Sequence, residues 1–171
     1  MKKIILCTLL LSLFFNLSCY ANQSKKEIRK EIKKYEKDIS NNIGDKAENF
    51  YKLGVLNYKI NKIKKAKTNF EILTLIEPKH HESYIYLGDI ALFEDKDNEK
   101  AFLNYTKAIK ANPNKAEGYY CRSLIYYYIY DFDNALKDIN KALEIDKNNQ
   151  FYINRKQEII KSNQYYYSEF I

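Results

Sequence analysis

The sequence is poor in the residues that make tight turns. Its 171 residues include only four glycines and two prolines, and there is no tryptophan. A β-sandwich or barrel needs a turn about every 8 to 12 residues, and glycine and proline supply many of those turns. Their scarcity argues against an all-β fold and predicts a chain that is almost entirely helical.

Cysteine is equally scarce. Of the three cysteines, Cys7 and Cys19 lie within or at the edge of an N-terminal apolar stretch, which leaves Cys121 alone in the body of the chain. A single cysteine cannot form an internal disulfide framework. Packing of the core must therefore supply the stability of the fold.

The sequence also lacks the short motifs of common enzymes and metal sites. It contains no G-x-x-x-x-G-K, no G-x-G-x-x-G and no H-E-x-x-H. His80 and His81 are adjacent and point in different directions, and nothing in the helix of Cys121 would activate it as a nucleophile. We expect a protein that is not an enzyme and that binds no metal or cofactor.

The net charge is basic, but the basic residues are spread out. Lysine and arginine number 29 against 22 for aspartate and glutamate, a formal net charge of +7. They alternate with acidic residues along every segment, whereas nucleic-acid binding requires basic residues gathered on one face. The pattern favours solvated helix faces and predicts no nucleic-acid partner.

The first 21 residues have the layout of a secretory signal peptide. Two lysines precede an apolar run from Ile4 to Phe15, which is shorter than the roughly 20 residues that span a bilayer. Cleavage after Ala21 would release the protein into the periplasm or the extracellular space. Cleavage before Cys19, in a lipobox-like N-L-S-C stretch, would make a lipoprotein. We expect an exported protein, with Cys19 as the candidate lipidation site.

An internal repeat follows the leader. Residues of its first half recur at steps of 34 and 35: Phe50, Tyr84 and Tyr119, then Leu53, Leu87 and Arg122, then Gly54, Gly88 and Ser123. Residues of its second half recur at steps of 35 and 34: Ala66, Ala101 and Ala135, then Phe70, Tyr105 and Ile139, then Leu73, Ala108 and Ala142. The switch in step order implies one extra residue before Ala101, which we expect in the polar turn 94–100.

Each repeat has two halves of helical periodicity, which predicts an antiparallel helix pair. Asp45 and Asn114 each have a glutamate three residues later, the spacing of a capping box, and Asp131 can cap the helix that follows it. Small residues, such as Gly88 opposite Ala101, let the two backbones approach closely.

The succession of an aromatic residue, L-G, alanine, aromatic residue, alanine and proline over about 34 residues resembles the tetratricopeptide repeat. The likeness covers 47–80, 81–115 and 116–149, with Arg122-Ser123 in place of L-G in the third copy. It implies an all-α solenoid of antiparallel helix pairs.

A stacked array needs a covering helix at each end. The basic segment 22–46 carries Ile28, Ile32, Tyr35 and Ile39 on one helical face, so we expect it to cover the first repeat. The segment 150–171 should cover the third repeat through Ile153, Ile159 and Ile160, and it ends in an aromatic tail.

The resemblance also implies a binding groove. In tetratricopeptide proteins the first helices of the repeats line a concave surface that takes peptides or partner helices. Carried onto this sequence, the groove residues are Tyr51, Val55, Tyr58, Ile85, Asp89, Leu92, Phe93, Tyr120, Leu124, Tyr127 and Tyr128. The set is mostly aromatic and aliphatic, and such a surface is expected to be covered by a partner.

Chaperone-binding members of the family clamp an acidic terminal carboxylate with lysine, asparagine and arginine side chains. Those positions here hold Tyr51, Val55, Tyr86, Glu117 and Cys121, so no clamp residue is present. We therefore expect an apolar or basic partner segment.

Three hypotheses of function follow. The first is a non-enzymatic interaction module or scaffold of the bacterial cell envelope, which contacts membrane only through a lipid anchor or its basic N-terminal helix. The second is a cytoplasmic chaperone resembling the three-repeat type III secretion chaperones, which requires that residues 1–21 are no signal. In the third, residues 163–171 fill the groove themselves.

The stretch YYCRSLIYYYIY at 119–130 is the densest run of tyrosine. Projected on a helix of about 100° per residue, Tyr119, Tyr126 and Tyr130 fall on the face aligned with Phe50 and Tyr84. We expect these three tyrosines to lie in the core and the other three to line the groove.

Overall fold

The computed structural model describes residues 24–170, so the predicted signal peptide and Cys19 lie outside the described residues. This part of the chain forms eight helices, which are α1 (24–40), α2 (Lys46–Lys59), α3 (Ile63–Ile76), α4 (His81–Asp89), α5 (Asn98–Ala111), α6 (Ala116–Tyr128), α7 (Phe132–Ile145) and α8 (Gln150–Phe170). A π-helical turn, Ile90–Glu94, continues α4. The prediction of an all-α fold is confirmed. No helix within residues 24–170 combines the length and apolar character that a membrane span requires.

Packing divides the chain after Ala66, inside α3, into two compact units. In the first unit, Ile32 of α1 is buried with Leu53 and Leu56 of α2. The other apolar residues that α1 packs against this cluster are Ile28, Tyr35 and Ile39. The predicted amphipathic face of α1 therefore covers α2 through these side chains.

Two of the three predicted helix caps are present. The carboxylate of Asp45 accepts a hydrogen bond from the backbone N–H of Glu48 at 3.0 Å, at the start of α2. The carboxylate of Asp131 accepts one from the backbone N–H of Asn134 at 3.2 Å, at the start of α7. Each satisfies a backbone donor that the first helical turn leaves unpaired.

The third predicted cap, at Asn114, is wrong. α6 is preceded by Lys115, whose side chain makes no capping hydrogen bond. Asn114 lies one residue too early to cap, and its own backbone N–H donates to Oδ1 of Asn112 at 3.1 Å. The side chain of Asn112 therefore organises the turn, and α6 begins without a side-chain cap.

In the second unit, α4 and α5 cross where α4 has a glycine. The ring of Tyr105 lies over Gly88, and a Cβ built on this glycine would be only 2.6 Å from Cδ1 of Tyr105. Both residues are buried. The requirement for a small residue at position 88 is confirmed, and the side chain that imposes it is Tyr105.

The extra residue of the second repeat lies in a helix and not in the turn 94–100, so that prediction is wrong. The three turns that join the paired helices, 60–62, 95–97 and 129–131, have the same length. The π-helical turn Ile90–Glu94 takes up the additional residue, as single π turns inside α-helices do. Ile90 and Ala91 are fully buried in it, so the widened turn keeps its apolar side chains in the core.

The helices α6, α7 and α8 enclose a core of their own. Its buried members are Ala116, Phe132, Ala135, Ile139, Ala142, Tyr152 and Ile159. Of the three isoleucines predicted to cover the third helix pair, Ile159 is fully buried, Ile153 is half-buried and Ile160 is 37% exposed. The helix α8 thus covers this core through Tyr152 and Ile159, and of the three predicted isoleucines only Ile159 belongs to it.

An ion pair joins α6 to α7. Arg122 donates from Nε and Nη2 to the two carboxylate oxygens of Asp138, at 2.7 and 2.9 Å, and from Nη1 to Oγ1 of Thr106 on α5 at 3.3 Å. Asp138 is buried. The hydrogen bond to Asp138 raises the pKa of the Arg122 guanidinium. Arginine in place of the repeat's leucine therefore links three helices.

The prediction that Tyr130 lies in the core is wrong, because its side chain is 65% exposed. The helix α6 ends at Tyr128, so a helical projection does not apply two residues later. Tyr130 has φ 61°, as Asn61 and Lys96 have φ 60° and 57° in the equivalent turns. Left-handed backbone at these positions reverses the chain between paired helices.

The other two tyrosines predicted for the core, Tyr119 and Tyr126, are half-buried and pack against the core of α6 to α8. The buried residues of α6 are instead Ala116, Gly118, Ser123 and Ile125. The Ser123 hydroxyl donates to the carbonyl of Tyr120 at 2.6 Å.

Candidate interaction surfaces

The groove residues predicted on α4 and its π turn form what we call the first-helix face of the second unit, together with Leu124 of α6. Ile85, Asp89, Leu92 and Leu124 are half-buried, and Phe93 is 55% exposed. Ile85 and Leu92 contact the buried cluster around Tyr105 from the side. This face therefore offers apolar side chains that the fold itself only partly covers.

Asp89 is a half-buried carboxylate on this face. It accepts a hydrogen bond from the Tyr105 hydroxyl at 2.8 Å, and within the described chain it makes no ion pair. Burial raises the pKa of Asp89, and the hydrogen bond from Tyr105 partly opposes that rise. A cation brought by a partner would stabilise the charged form.

The surroundings of Asp89 are acidic. Burial, followed by the negative charges of Asp89 and Glu117, raises the pKa of the Cys121 thiol above its usual range. Burial, followed by Asp89 and Glu82, likewise raises the pKa of Tyr86. A thiol held protonated in this way is a poor nucleophile.

The helix α8 covers two of the predicted groove tyrosines of α6 and leaves the third exposed. The ring of Tyr120 lies 5.0 Å from that of Tyr152, and the Tyr127 hydroxyl is 2.9 Å from the Ser162 hydroxyl. Both tyrosines are half-buried, whereas Tyr128 is 69% exposed. The helix α8 therefore covers Tyr120 and Tyr127, so their availability to a partner differs from that of Tyr128.

In the first unit, the predicted residues Tyr51, Val55 and Tyr58 on α2 are half-buried. Tyr51 and Val55 line a cleft of about 340 Å³ between α1 and α2. The rest of its lining is Glu31, Tyr35, Lys52, Leu56 and Lys59. Three of the side chains that line this cleft are charged, namely Glu31, Lys52 and Lys59.

A larger cleft, of about 800 Å³, lies between the α6–α7 turn and the second half of α8. We call it the tyrosine cleft, and its lining residues are Tyr127, Tyr128, Tyr130, Phe132, Glu158, Lys161, Ser162, Tyr165 and Tyr166. The rings of Tyr130 and Tyr166 stack with centroids 5.6 Å apart. Of these lining residues, the sequence predicted only Tyr127 and Tyr128 at a binding surface. The run Tyr165 to Tyr167, with the tyrosine-rich stretch of α6, was the signal available for the others.

The histidines have structural contacts. Nδ1 of His80 accepts a hydrogen bond from the backbone N–H of Ser83 at 3.3 Å and so caps α4. Nδ1 of His81 lies 2.8 Å from Oε2 of Glu82. No group of three or more histidine, cysteine, aspartate or glutamate side chains in the described residues is arranged to hold a metal ion.

Parts of the chain are similar to known proteins. The sequence model described as Tetratricopeptide repeat matches residues 116–149. The chain is 35% identical over 77 residues to a UDP-N-acetylglucosamine–peptide N-acetylglucosaminyltransferase of Giardia intestinalis, covering 45% of this chain and 5% of that protein. It is 33% identical over 88 residues to Hsp70-Hsp90 organizing protein 1 of Glycine max, covering 52% of this chain and 15% of that protein. The chain thus spans only a small part of these relatives.

Solved structures share the fold. The first TPR of Spaghetti (RPAP3), bound to an HSP90 peptide SRMEEVD, superposes with a TM-score of 0.62 at 20% identity, over 68% of this chain and 94% of that one. The crystal structure of MamA gives a TM-score of 0.65 at 20% identity, over 83% of this chain and 88% of that one. The fold is therefore a tetratricopeptide-type helical solenoid.

Proposed function

We propose that this protein is a non-enzymatic interaction module or scaffold of the bacterial cell envelope. It holds a peptide or helix of another envelope protein on the first-helix face of the second unit. The observation that carries the proposal is the partly covered apolar surface of that face, formed by Ile85, Leu92, Phe93 and Leu124. Tetratricopeptide folds mediate protein–protein contacts, and the layout of residues 1–21 supports export.

The charge of the face favours an apolar segment that carries a basic residue. Asp89 lies among the apolar side chains without an ion pair in the described chain. Two further carboxylates are near, since Glu82 contributes to the raised pKa of Tyr86 and Glu117 to that of Cys121. A lysine or arginine beside Asp89 would compensate a carboxylate whose burial is otherwise unfavourable. The peptide bound to Spaghetti, SRMEEVD, is acidic, and an acidic segment would be repelled here.

Variants of exposed side chains test the interaction. Phe93 is 55% exposed and Leu103, on the second helix of the same pair, is 53% exposed, so the two form a matched pair of sites. The tagged full chain would be crosslinked in its own cell and recovered from the envelope fraction. We expect Phe93→Ala combined with Asp89→Asn to lose at least about tenfold of the recovered partner, as loss of an aromatic anchor does. Leu103→Ala should retain it. Equal recovery with all three proteins would refute the proposal.

The export part of the proposal has a separate test. N-terminal sequencing of the protein from its own cell should find a chain that begins after Ala21 or at a modified Cys19. A cytoplasmic chaperone would instead retain residues 1–21, and that result would transfer the same binding face to the secretion-chaperone hypothesis.

A further inference from the structure

We propose that the outer side of α1 is a docking surface for the anionic headgroups of a membrane. This surface belongs to the first unit, so it adds a second site, of different chemistry, to the interaction face proposed above. Three observations support it, namely the arrangement of charges around α1, the lack of ion pairs for its outer lysines within the described residues, and the part of the chain that precedes the helix.

The charges of α1 alternate along the sequence but separate around the helix. At about 100° per residue, a row of four lysines projects within about 60°, opposite the buried side of α1. We call this row the lysine stripe, and its members are Lys26, Lys30, Lys33 and Lys37. The neighbours of the stripe around the helix, Arg29 and Lys34, are basic too. All these side chains are exposed.

The acidic residues of α1 lie on its flanks, between the lysine stripe and the buried side, and two of them meet basic groups of the same unit. Oε1 of Glu36 lies 3.7 Å from Nζ of Lys65 on α3. Glu31 lines the cleft beside α2 together with Lys52 and Lys59. Because these carboxylates are directed toward the unit itself, the outer side of α1 is left basic.

The lysine stripe has no ion pair within the described residues. The preceding residues 1–23 contain no aspartate or glutamate either. On α7, by contrast, the exposed charged residues are of both signs, and Nζ of Lys141 lies 2.7 Å from Oε2 of Glu144. Like charges four residues apart on a helix repel one another, and an anionic surface would relieve that repulsion.

The shape of the stripe favours a flat surface over a discrete ligand. Its lysines extend about 16 Å along one side of a helix, and none of them lines the cleft beside α2. Donors that bind a single small anion converge on one point, whereas these lie along a line that a plane can touch throughout. The apolar side of α1 is not available for insertion into a bilayer, since Ile32 is 4% exposed. Contact with a membrane would therefore be made by charge.

The preceding part of the chain favours a membrane as the source of the negative charge. The apolar run 4–15 and the lipobox-like Cys19 come before α1, and Cys19 is five residues from Ser24. Because five residues span at most about 17 Å, a lipid on Cys19 would hold the start of the lysine stripe near the headgroups. Cleavage after Ala21 would instead place a new amino group close to the start of α1, which adds positive charge at the same end.

Vesicle binding tests the proposal with the protein purified from its own cell, so that residues 1–21 are processed as they are naturally. Cosedimentation is measured with neutral phosphatidylcholine vesicles and with vesicles that contain about 30% phosphatidylglycerol, and the ratio of the two affinities isolates the binding that depends on charge. At about 0.1 M salt we expect a ratio of at least about ten, which should fall toward one at about 0.5 M salt. A ratio near one at low salt, or a ratio that salt leaves unchanged, would overturn the proposal.

Two quadruple variants remove the same number of charges from different places. Glutamine at all four positions of the lysine stripe should bring the ratio close to one, as Lys26→Gln, Lys30→Gln, Lys33→Gln and Lys37→Gln together remove its charge. Glutamine at four exposed lysines of the second unit should keep most of the ratio, and these control positions are Lys107, Lys110, Lys137 and Lys147. Equal losses in the two variants would show that net charge alone matters and would contradict the assignment to α1.

Arginine at the four positions of the stripe separates charge from other properties of lysine. It keeps the positive charge and has a helix propensity similar to that of lysine, so this variant should keep the ratio. Loss of binding by the arginine variant would count against docking by charge. The replaced side chains are exposed, and an unchanged far-UV circular dichroism spectrum would verify that the glutamine variant is folded.

Duplex DNA and poly-glutamate provide the comparison with other polyanions. Each is offered at the same concentration of negative charge as the anionic vesicles, and we expect the vesicles to bind the chain more tightly than either polymer. Tighter binding of DNA or of poly-glutamate would overturn the proposal and assign the surface to that class of partner. The vesicles contain no protein, so their result is independent of partner capture. The variant with Phe93→Ala and Asp89→Asn should bind them as the unaltered chain does.

Discussion

The second and third helix pairs share a period but fill their crossings differently. In the second, Gly88 has no side chain, so the ring of Tyr105 lies against the helix backbone and its hydroxyl reaches Asp89 at 2.8 Å. In the third, serine replaces the glycine, and Arg122 forms a bidentate pair with buried Asp138. The repeat therefore sets where two helices cross, while the side chains that occupy the crossing vary.

The largest effect is expected at the second crossing. Gly88→Leu places four carbon atoms where the Tyr105 ring lies, and overpacking of this kind should cost more than about 3 kcal/mol in the free energy of unfolding. Urea denaturation followed by far-UV circular dichroism measures that free energy. In the double variant with Tyr105→Ala, the cost should be well below the sum of the single costs. Additive costs would show that the ring does not impose the glycine.

At the third crossing, we expect stability to be lost when a buried charge is left without its partner. Asp138→Ala leaves the Arg122 guanidinium half-buried without its partner, and we expect a loss of about 3 kcal/mol, at the lower end for a buried ion pair because Arg122 remains partly exposed. Replacing both residues, by Arg122→Leu and Asp138→Ala, should recover much of the stability, since leucine fits this position of the repeat. If the double variant were less stable than either single variant, ion pairing would not explain the crossing. The same denaturation measurement applies.

The smallest expected effect is a pH dependence of stability that comes from His81, at the start of α4, and only in small part from Lys115, which precedes α6. Burial lowers the pKa of His81, assisted by Lys115 and His80 and opposed by Glu82 and Glu117. The unfolded chain, with a histidine pKa of about 6.5, then binds protons more readily than the folded one. Stability is therefore full above about pH 6.5 and is lost as the pH falls through this value toward the lower folded pKa.

Urea midpoints at about pH 7.5 and 5.5 test this dependence. His81→Gln should show a smaller drop between the two pH values than the unaltered chain, because glutamine does not titrate. Lys115→Gln, before α6, removes a charge that itself contributes to the lowered His81 pKa, so it should leave most of the drop in place. An identical drop in the chain with and without His81 would contradict the assignment.

Particular residues show how far the sequence could predict the fold and the binding surfaces. The repeat steps placed Gly88 at a crossing, and the spacing of Ile28, Ile32, Tyr35 and Ile39 identified the buried face of α1. Both follow from local periodicity, which a chain of helices retains after folding. The groove positions remain predictions. The structure adds that α8 covers Tyr120 and Tyr127 and leaves Tyr128 exposed.

Two of the predictions that were wrong share a cause. Tyr130 was projected onto a helix that ends two residues earlier, and the extra residue of the second repeat was placed in a turn although a π-helical turn accommodates it. Helix ends depend on which neighbouring surface is available to bury the next side chain. That surface belongs to segments distant in sequence, so local patterns do not report it.

The sequence by itself determined the all-α class, the 34- to 35-residue period and the small residues at the crossings, because helical periodicity and the shortage of glycine and proline act locally. Only the tertiary structure decided that Arg122 pairs with Asp138, that Tyr105 fills the space above Gly88, and that the end of α8 meets the α6–α7 turn in a tyrosine cleft. These features depend on side chains brought together from different helices. Their distances and burial are fixed only once the helices pack.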